Sequence, residues 1–179
     1  MLGKYNNVPL TNTYQISSII NHSFPEKLPS VFENSKLIPS GFTHFMLDGS
    51  LCLGTETAIR ERLVSSPELL YFFQEFVNQY FYSVRYYEFY HCFPFGESAH
   101  GADGIVNFYK TKFNVQTRSE VIDLLEGLTN LERLQHGSPC PCGSGKRLSL
   151  CHGSQLFTMI NSPLCMNYLE DIKALRRLK

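Results

Sequence analysis

Tryptophan is absent from the 179 residues, and neither sign of charge is in excess, with 16 Lys and Arg set against 16 Asp and Glu. A protein whose main work is coating nucleic acid is normally basic, so that class is set aside. The opening MLGKYNNVPLTN has no basic segment followed by an apolar run and a small-residue cleavage site, so no secretory leader is expected. Apolar runs are broken by Gln, Glu, Asn and Ser well short of a membrane span, and no membrane insertion is expected. A phosphate-binding loop of the GxxxxGK[ST] kind is also missing, so activation of a carboxylate by a bound nucleotide is not expected. What is present is a 43% hydrophobic content with 14 Phe and 10 Tyr, enough to bury an aromatic core. The length suits one ordinary domain with an appendage.

The order of local signals predicts an α+β fold. Tyr14–Ile20 is rich in β-branched and aromatic residues and reads as a strand, with a second short strand at Ser30–Phe32. Between them, Phe24-Pro-Glu-Lys-Leu-Pro29 is a proline-punctuated turn. Phe42–Leu53 holds two apolar runs around Asp48-Gly49, a dipeptide suited to a tight turn.

Helical signals follow. Ser65-Ser-Pro-Glu68 predicts a helix start, with Leu69, Phe73, Phe76, Val77, Tyr80 and Val84 on its apolar face. Glycines and a proline predict loop over Phe89–Gly104. Thr117-Arg-Ser-Glu120 is a capping box ahead of Val121, Leu124, Leu125, Leu128, Leu131 and Leu134, although Gly127 weakens that helix by roughly 1 kcal/mol. Ser162-Pro163 predicts a last helix in which Leu169, Ile172, Leu175 and Leu178 alternate with Lys173, Arg176 and Arg177. The expected boundaries are a main domain over 1–135, a small module over 136–155 and an amphipathic tail over 156–179. The tail's basic face is either solvated or a docking surface for an acidic protein, RNA or membrane, acting with Lys146 and Arg147.

Cysteine distribution points to a metal. Three of the six cysteines lie between Cys140 and Cys151, and with no leader expected this favours metal binding in a reducing, cytoplasmic setting over disulfides. Cys140-Pro-Cys142, eight residues and Cys151-His152 together supply three thiols and an imidazole, a standard closed ligand set for structural Zn2+. Gly143-Ser-Gly145 lets the chain turn tightly and offers amides to the sulfurs. The wording CPCGSGKRLSLCHG resembles the SEC-C zinc motif found at the end of the SecA translocase and in many unrelated bacterial proteins. That resemblance implies Cys140, Cys142, Cys151 and His152 as ligands, with Leu148-Ser-Leu150 replacing the usual basic-aromatic stretch.

A second resemblance centres on Cys52. Alone, a cysteine between Leu51 and Leu53 is a small buried hydrophobe. However, Phe24-Pro25-x-Lys27-Leu28-Pro29-Ser30-Val31, then His44, then Gly49-Ser50-Leu51-Cys52-Leu53 resemble, in order, motifs of ubiquitin-conjugating enzymes. The resemblance covers roughly residues 13–84 and is to the divergent bacterial branch associated with antiphage CBASS operons. It implies a conjugating-enzyme-like antiparallel sheet, shortened at its amino-terminal end, packed with helices. Met46 stands about where the family carries its oxyanion-stabilising asparagine. By this resemblance Cys52 is a thioester-forming nucleophile, the donor is a protein carboxy terminus such as that of a cGAS-like nucleotidyltransferase, and the acceptor is an amine.

The candidate polar partners are His44 and His100, with Glu97 and Asp103 as orienting groups. His44 either ties down its loop or acts directly. Cys92 and Cys165 read as structural. Two rivals stand beside the transferase: an adaptor that binds proteins through the zinc module and tail with an inert Cys52, and a thiol hydrolase using Cys52 with His100.

Overall fold

A computed structural model describes residues 12–96, 99–130, 134–135 and 137–177. It is a mixed α+β structure with a small antiparallel sheet and several helices. The chain divides into two compact units, Met1–Ser98 and Ala99–Lys179.

In the first unit, strands β1 (Ile16–Ile19) and β2 (Ser30–Glu33) pair antiparallel, with Ile16 opposite Glu33 and Ile19 opposite Ser30. Both strands were expected. The connection includes a cis Phe24–Pro25 bond and a turn in which the Phe24 amide donates to Asn21 O at 3.0 Å. The hairpin around Asp48-Gly49 forms as expected, with Phe45 opposite Leu51 and Gly49 at φ 83°, a conformation open to glycine without strain. The Leu51 amide donates to Val31 O at 2.8 Å, which ties this hairpin to β2.

Helix α1 (Glu56–Leu63) was not anticipated. Its apolar stripe is only Ile59 and Leu63, with Thr57 buried beside them, too few positions for periodicity to register. Next comes a continuous helical run: α2 (Leu69–Phe72), a π-helical turn (Phe73–Val77) and α3 (Asn78–Tyr90). Its start differs from expectation. Glu68 is the extended residue before the helix and no side chain caps it, while Ser65 Oγ donates back to Arg62 O at 3.2 Å, at the end of α1.

The buried positions of this run are Phe72, Phe76, Val77, Tyr80 and Val84, so Phe72 replaces the expected Phe73. A strict four-residue spacing drifts by about 40° per step around a helix of 3.6 residues per turn. The wider π turn takes up that rotation and keeps Phe72, Phe76, Tyr80 and Val84 on the core. Phe42 is the hub of this core, with ring centroids 5.4 Å from Tyr80, 5.7 Å from Tyr87 and 5.5 Å from Phe93.

In the second unit, α4 (Gly101–Phe113) begins inside the stretch expected to be loop, just as α3 continues into it as far as Tyr90. Two of the three glycines that suggest a loop sit at the start of α4, where Gly101 takes φ 57° and Gly104 is buried, while Gly96 precedes it at φ 76°. Helix α5 (Arg118–Gly127) starts at the expected capping box: Thr117 Oγ1 accepts the Glu120 amide at 3.2 Å, and Glu120 accepts the Thr117 amide at 2.8 Å. Leu128 and Leu134 are buried beyond its end, whereas Leu131 lies outside the described residues. Helices α6 (Gly153–Ile160), which was not anticipated, and α7 (Cys165–Arg176) follow.

One core joins Tyr109 and Phe113 of α4, Val121, Leu124 and Leu125 of α5, Leu148 and Leu156, and Ile172 and Leu175 of α7. The expected boundary near residue 135 therefore falls inside this unit, and the cysteine segment and tail are not appendages of it. The physical reason is size. Residues 136–155 own little apolar surface, so Leu148, Cys140 and Cys142 are buried in the core that α4 and α5 build. Gly127 allows the approach: a Cβ there would lie 3.3 Å from Pro141 Cγ.

Candidate metal centre

Residues 138–148 form a small hairpin. Pro139 bridges Arg147, the Cys140 amide donates to Lys146 O at 2.8 Å, and the Leu148 amide donates to Ser138 O at 2.8 Å. Gly143 and Gly145 take φ 76° and 71°, giving the reversal between the arms. A 3-10 turn, Leu148–Leu150, then brings Cys151 and His152 back to the first pair.

Cys140, Cys142, Cys151 and His152 present ligand atoms that all lie within 4.8 Å of one another. His152 Nδ1 is 3.3 Å from both Cys140 Sγ and Cys151 Sγ, and Cys142 Sγ is 3.6 Å from Cys151 Sγ. His152 Nε2 points the other way, 2.8 Å from Phe113 O. A carbonyl oxygen only accepts, so Nε2 carries a proton there, and Nδ1 is the ring nitrogen that faces the sulfurs. Cys140 and Cys142 are buried, Cys151 and His152 half-buried.

Electrostatics separate the thiols. Burial pushes Cys140 well above the ordinary thiol range, against hydrogen bonds from the Cys142 and His152 backbone. Burial also raises Cys142, but the Ser144 hydroxyl and amide, with the neighbouring cysteines, outweigh it and bring that thiol below its usual range. Ser144 Oγ lies 3.2 Å from Cys142 Sγ and 3.5 Å from Cys151 Sγ. A thiolate is thus favoured at one corner of the cluster, as metal binding needs.

Residues 138–154 match the family model of the SEC-C motif. No characterised protein and no solved structure gives a significant match to the chain. The SEC-C match spans all four clustered residues, and the segment also carries Lys146, Arg147 and Leu150, all exposed.

The second candidate cluster lies in the first unit. The Cys52 amide donates to His44 O at 3.0 Å, so the two residues face each other across the hairpin. Directly opposed residues of an antiparallel pair project to the same face. Cys52 is half-buried, while His44 is buried, its ring 5.2 Å from Phe42 and 4.8 Å from Phe93. Tyr80 Oη donates to His44 O at 2.9 Å. Burial, with Cys52 and Glu33 nearby, raises that phenol far above its ordinary value and keeps it a neutral donor. Met46 is half-exposed at the hairpin, its amide donating to Ser50 O at 2.8 Å.

His100 belongs to the other unit, as the exposed residue preceding α4. Asp103, in the first turn of α4, lies 3.9 Å from Arg118, and Glu97 lies outside the described residues. Cys92 is exposed and Cys165 half-buried.

In the basic tail, Ile172 and Leu175 are buried, and Arg176 donates twice to Glu126 Oε1, at 2.8 and 3.1 Å. Arg176 is thereby committed to α5, while Lys173 and Arg177 remain on the exposed face. Among the described residues no helix is long and apolar enough to cross a membrane. Sequence reasoning missed Ser144 as a side-chain partner of the sulfurs, though it stands between the two flagged glycines. It also missed Phe113, whose contribution is a backbone carbonyl and carries no residue-type signal.

Proposed function

We propose that the chain is a zinc-containing adaptor, in which a structural Zn2+ staples the SEC-C hairpin onto its helical unit and holds a basic-apolar surface for protein binding. The observation that carries this reading is the convergence of four protein donors. Three sulfurs and one imidazole, all within 4.8 Å of one another, would fill every corner of a tetrahedron around one ion and leave no position for a reacting water, as in a structural site. Sulfurs held to zinc at about 2.3 Å in a tetrahedron stand about 3.8 Å apart. The Cys142–Cys151 separation of 3.6 Å fits that edge. When bound, the ion supplies cross-linking energy to a segment too small to fold alone. Lys146 and Arg147 beside exposed Leu150 suit an acidic protein surface with an apolar centre.

The test is binding of a labelled poly-glutamate peptide to the zinc-loaded full chain, read by fluorescence anisotropy. Binding should weaken with salt, disappear on chelation and in the Lys146→Glu/Arg147→Glu double variant, and survive Cys52→Ala. Binding untouched by the double variant would refute this surface.

A second reading is favoured by the opposition of His44 and Cys52. In it the first unit is a ubiquitin-conjugating-like acyl carrier of the antiphage CBASS type. Cys52 would accept a protein carboxy terminus, such as that of a cGAS-like nucleotidyltransferase, as a thioester and yield it to an amine, with His44 as polar assistant. Intact-mass detection of a reductant-sensitive protein adduct, present in the wild type and missing in Cys52→Ala, would decide for it over the adaptor.

A further inference from the structure

The last four carbonyls of a helix have no partner within it and must be satisfied from outside. At the end of α4 all four are accounted for. Lys110 O accepts from the Val115 amide at 3.0 Å and Thr111 O from the Asn114 amide at 3.4 Å, with Asn114 in the left-handed conformation at φ 55°. The other two partners are side chains from the far side of the cysteine segment. Gln155 Nε2 donates to Lys112 O at 3.1 Å, and His152 Nε2 donates to Phe113 O at 2.8 Å. The Phe113 ring also meets the His152 ring edge-on, with centroids 5.9 Å apart.

We propose that His152 is a metal-dependent C-cap of α4, a positioning residue that carries occupancy of the cysteine site into the order of the helical unit. This rests on the zinc reading of the site. The imidazole has two faces with two different jobs. With Nδ1 bound to the ion, the proton is confined to Nε2, the ring cannot rotate, and the N–H is a stronger donor to Phe113 O. An ion held by these residues would place its charge beyond the negative end of the α4 dipole, which would favour the same arrangement. With the ion removed, either tautomer is open to the ring, and the one protonated at Nδ1 puts a lone pair against Phe113 O. The last turn of α4 then loses its cap, and with it the fixed approach to α5 through Asn114 and Val115. Metal status thus governs a helix end some forty residues away in sequence.

Hydrogen exchange measured by mass spectrometry on the full chain tests this, using zinc alone as the probe. On titration with zinc under reducing conditions, amides over residues 108–115 should become protected in step with metal content, slowing by about tenfold, as expected for a charge-assisted cap. In His152→Cys a four-cysteine site still takes one zinc per chain, and the hairpin over 139–148 should stay protected. The α4 end should nevertheless exchange as fast as in chelated wild type. Gln155→Ala leaves every ligand in place and should loosen the same segment in part without changing zinc content.

Zinc that binds wild type but leaves residues 108–115 unaffected would overturn the coupling alone, as would zinc-loaded His152→Cys with wild-type protection there. Failure to bind zinc at all would overturn both the coupling and the metal reading. Nitrogen NMR of the imidazole gives a second readout: metal on Nδ1 with a slowly exchanging Nε2–H is expected, and metal on Nε2 refutes the cap.

Discussion

Gly153 opens α6 directly after His152 of the Cys/His cluster, and there is no room for a larger residue. An alanine Cβ at this position would lie 2.7 Å from Leu148 O, 3.1 Å from Leu148 C and 3.4 Å from Leu148 Cγ. The crowded atom is backbone, so no side-chain rotation relieves it. That carbonyl accepts the Cys151 amide at 3.0 Å, and Leu148 itself is fully buried. The 3-10 turn must therefore move by several tenths of an ångström, carrying Cys151 with it.

Overpacking of this kind costs about 1–3 kcal/mol. Alanine recovers at most about 1 kcal/mol of helix propensity, and less in a first turn. A net loss of about 1–2 kcal/mol in a unit of this size lowers the melting temperature by roughly 4–16 °C. Because the turn also holds a ligand, zinc affinity measured against a chromophoric chelator should fall, about tenfold for each 1.4 kcal/mol transmitted to the site. Gly137→Ala is the control, since a Cβ there meets nothing within 4 Å. If Gly153→Ala melts at or above the wild type while Gly137→Ala is neutral, the tight packing of α6 on the metal turn is disproved.

Three further outcomes follow from the same geometry. Phe42→Ala removes the ring shared by Tyr80, Tyr87 and Phe93 and should destabilise the first unit by about 3–5 kcal/mol in denaturant titration, leaving zinc content unchanged. Tyr109→Phe deletes the 2.7 Å bond from Tyr109 Oη to Asp171, between α4 and α7, and should cost the second unit about 1–2 kcal/mol in the same assay. The Thr117 hydroxyl and amide hold the Glu120 carboxylate below its usual range. Its folded pKa being lower than its unfolded one, the cap's contribution is full above the unfolded value and is lost as pH falls through the folded value. Amide exchange at the start of α5 should accelerate across that acid window in the wild type and show no such step in Glu120→Ala.

How far the residues foretold this structure depends on the range of each signal. The Thr117–Glu120 box, the Asp48-Gly49 turn and the paired short strands are decided within a few residues, and all were legible. The gathering of Cys140, Cys142, Cys151 and His152 was legible because ligand chemistry restricts residue type and spacing at once. Helix α1 was not, having an apolar stripe of two residues. The π turn was not either, because periodicity assumes one helical pitch and so selected Phe73 where Phe72 is buried. Grouping into units failed for another reason: composition changes near residue 135, but burial is shared across that point by Leu125, Leu148 and Leu156. The partner of His152 is a main-chain oxygen, which any residue at position 113 would supply, so no pattern of side chains announces it.

The shared core sets a rule for dissecting this protein. A cut near residue 135 would leave Val121, Leu124 and Leu125 facing water and strand Leu148 and Leu156 on the other fragment. Neither piece would be a usable fold, and grafting the cysteine segment alone onto a carrier would give the Cys/His cluster without its scaffold. Fusions and truncations should respect 99–179 as one indivisible cassette.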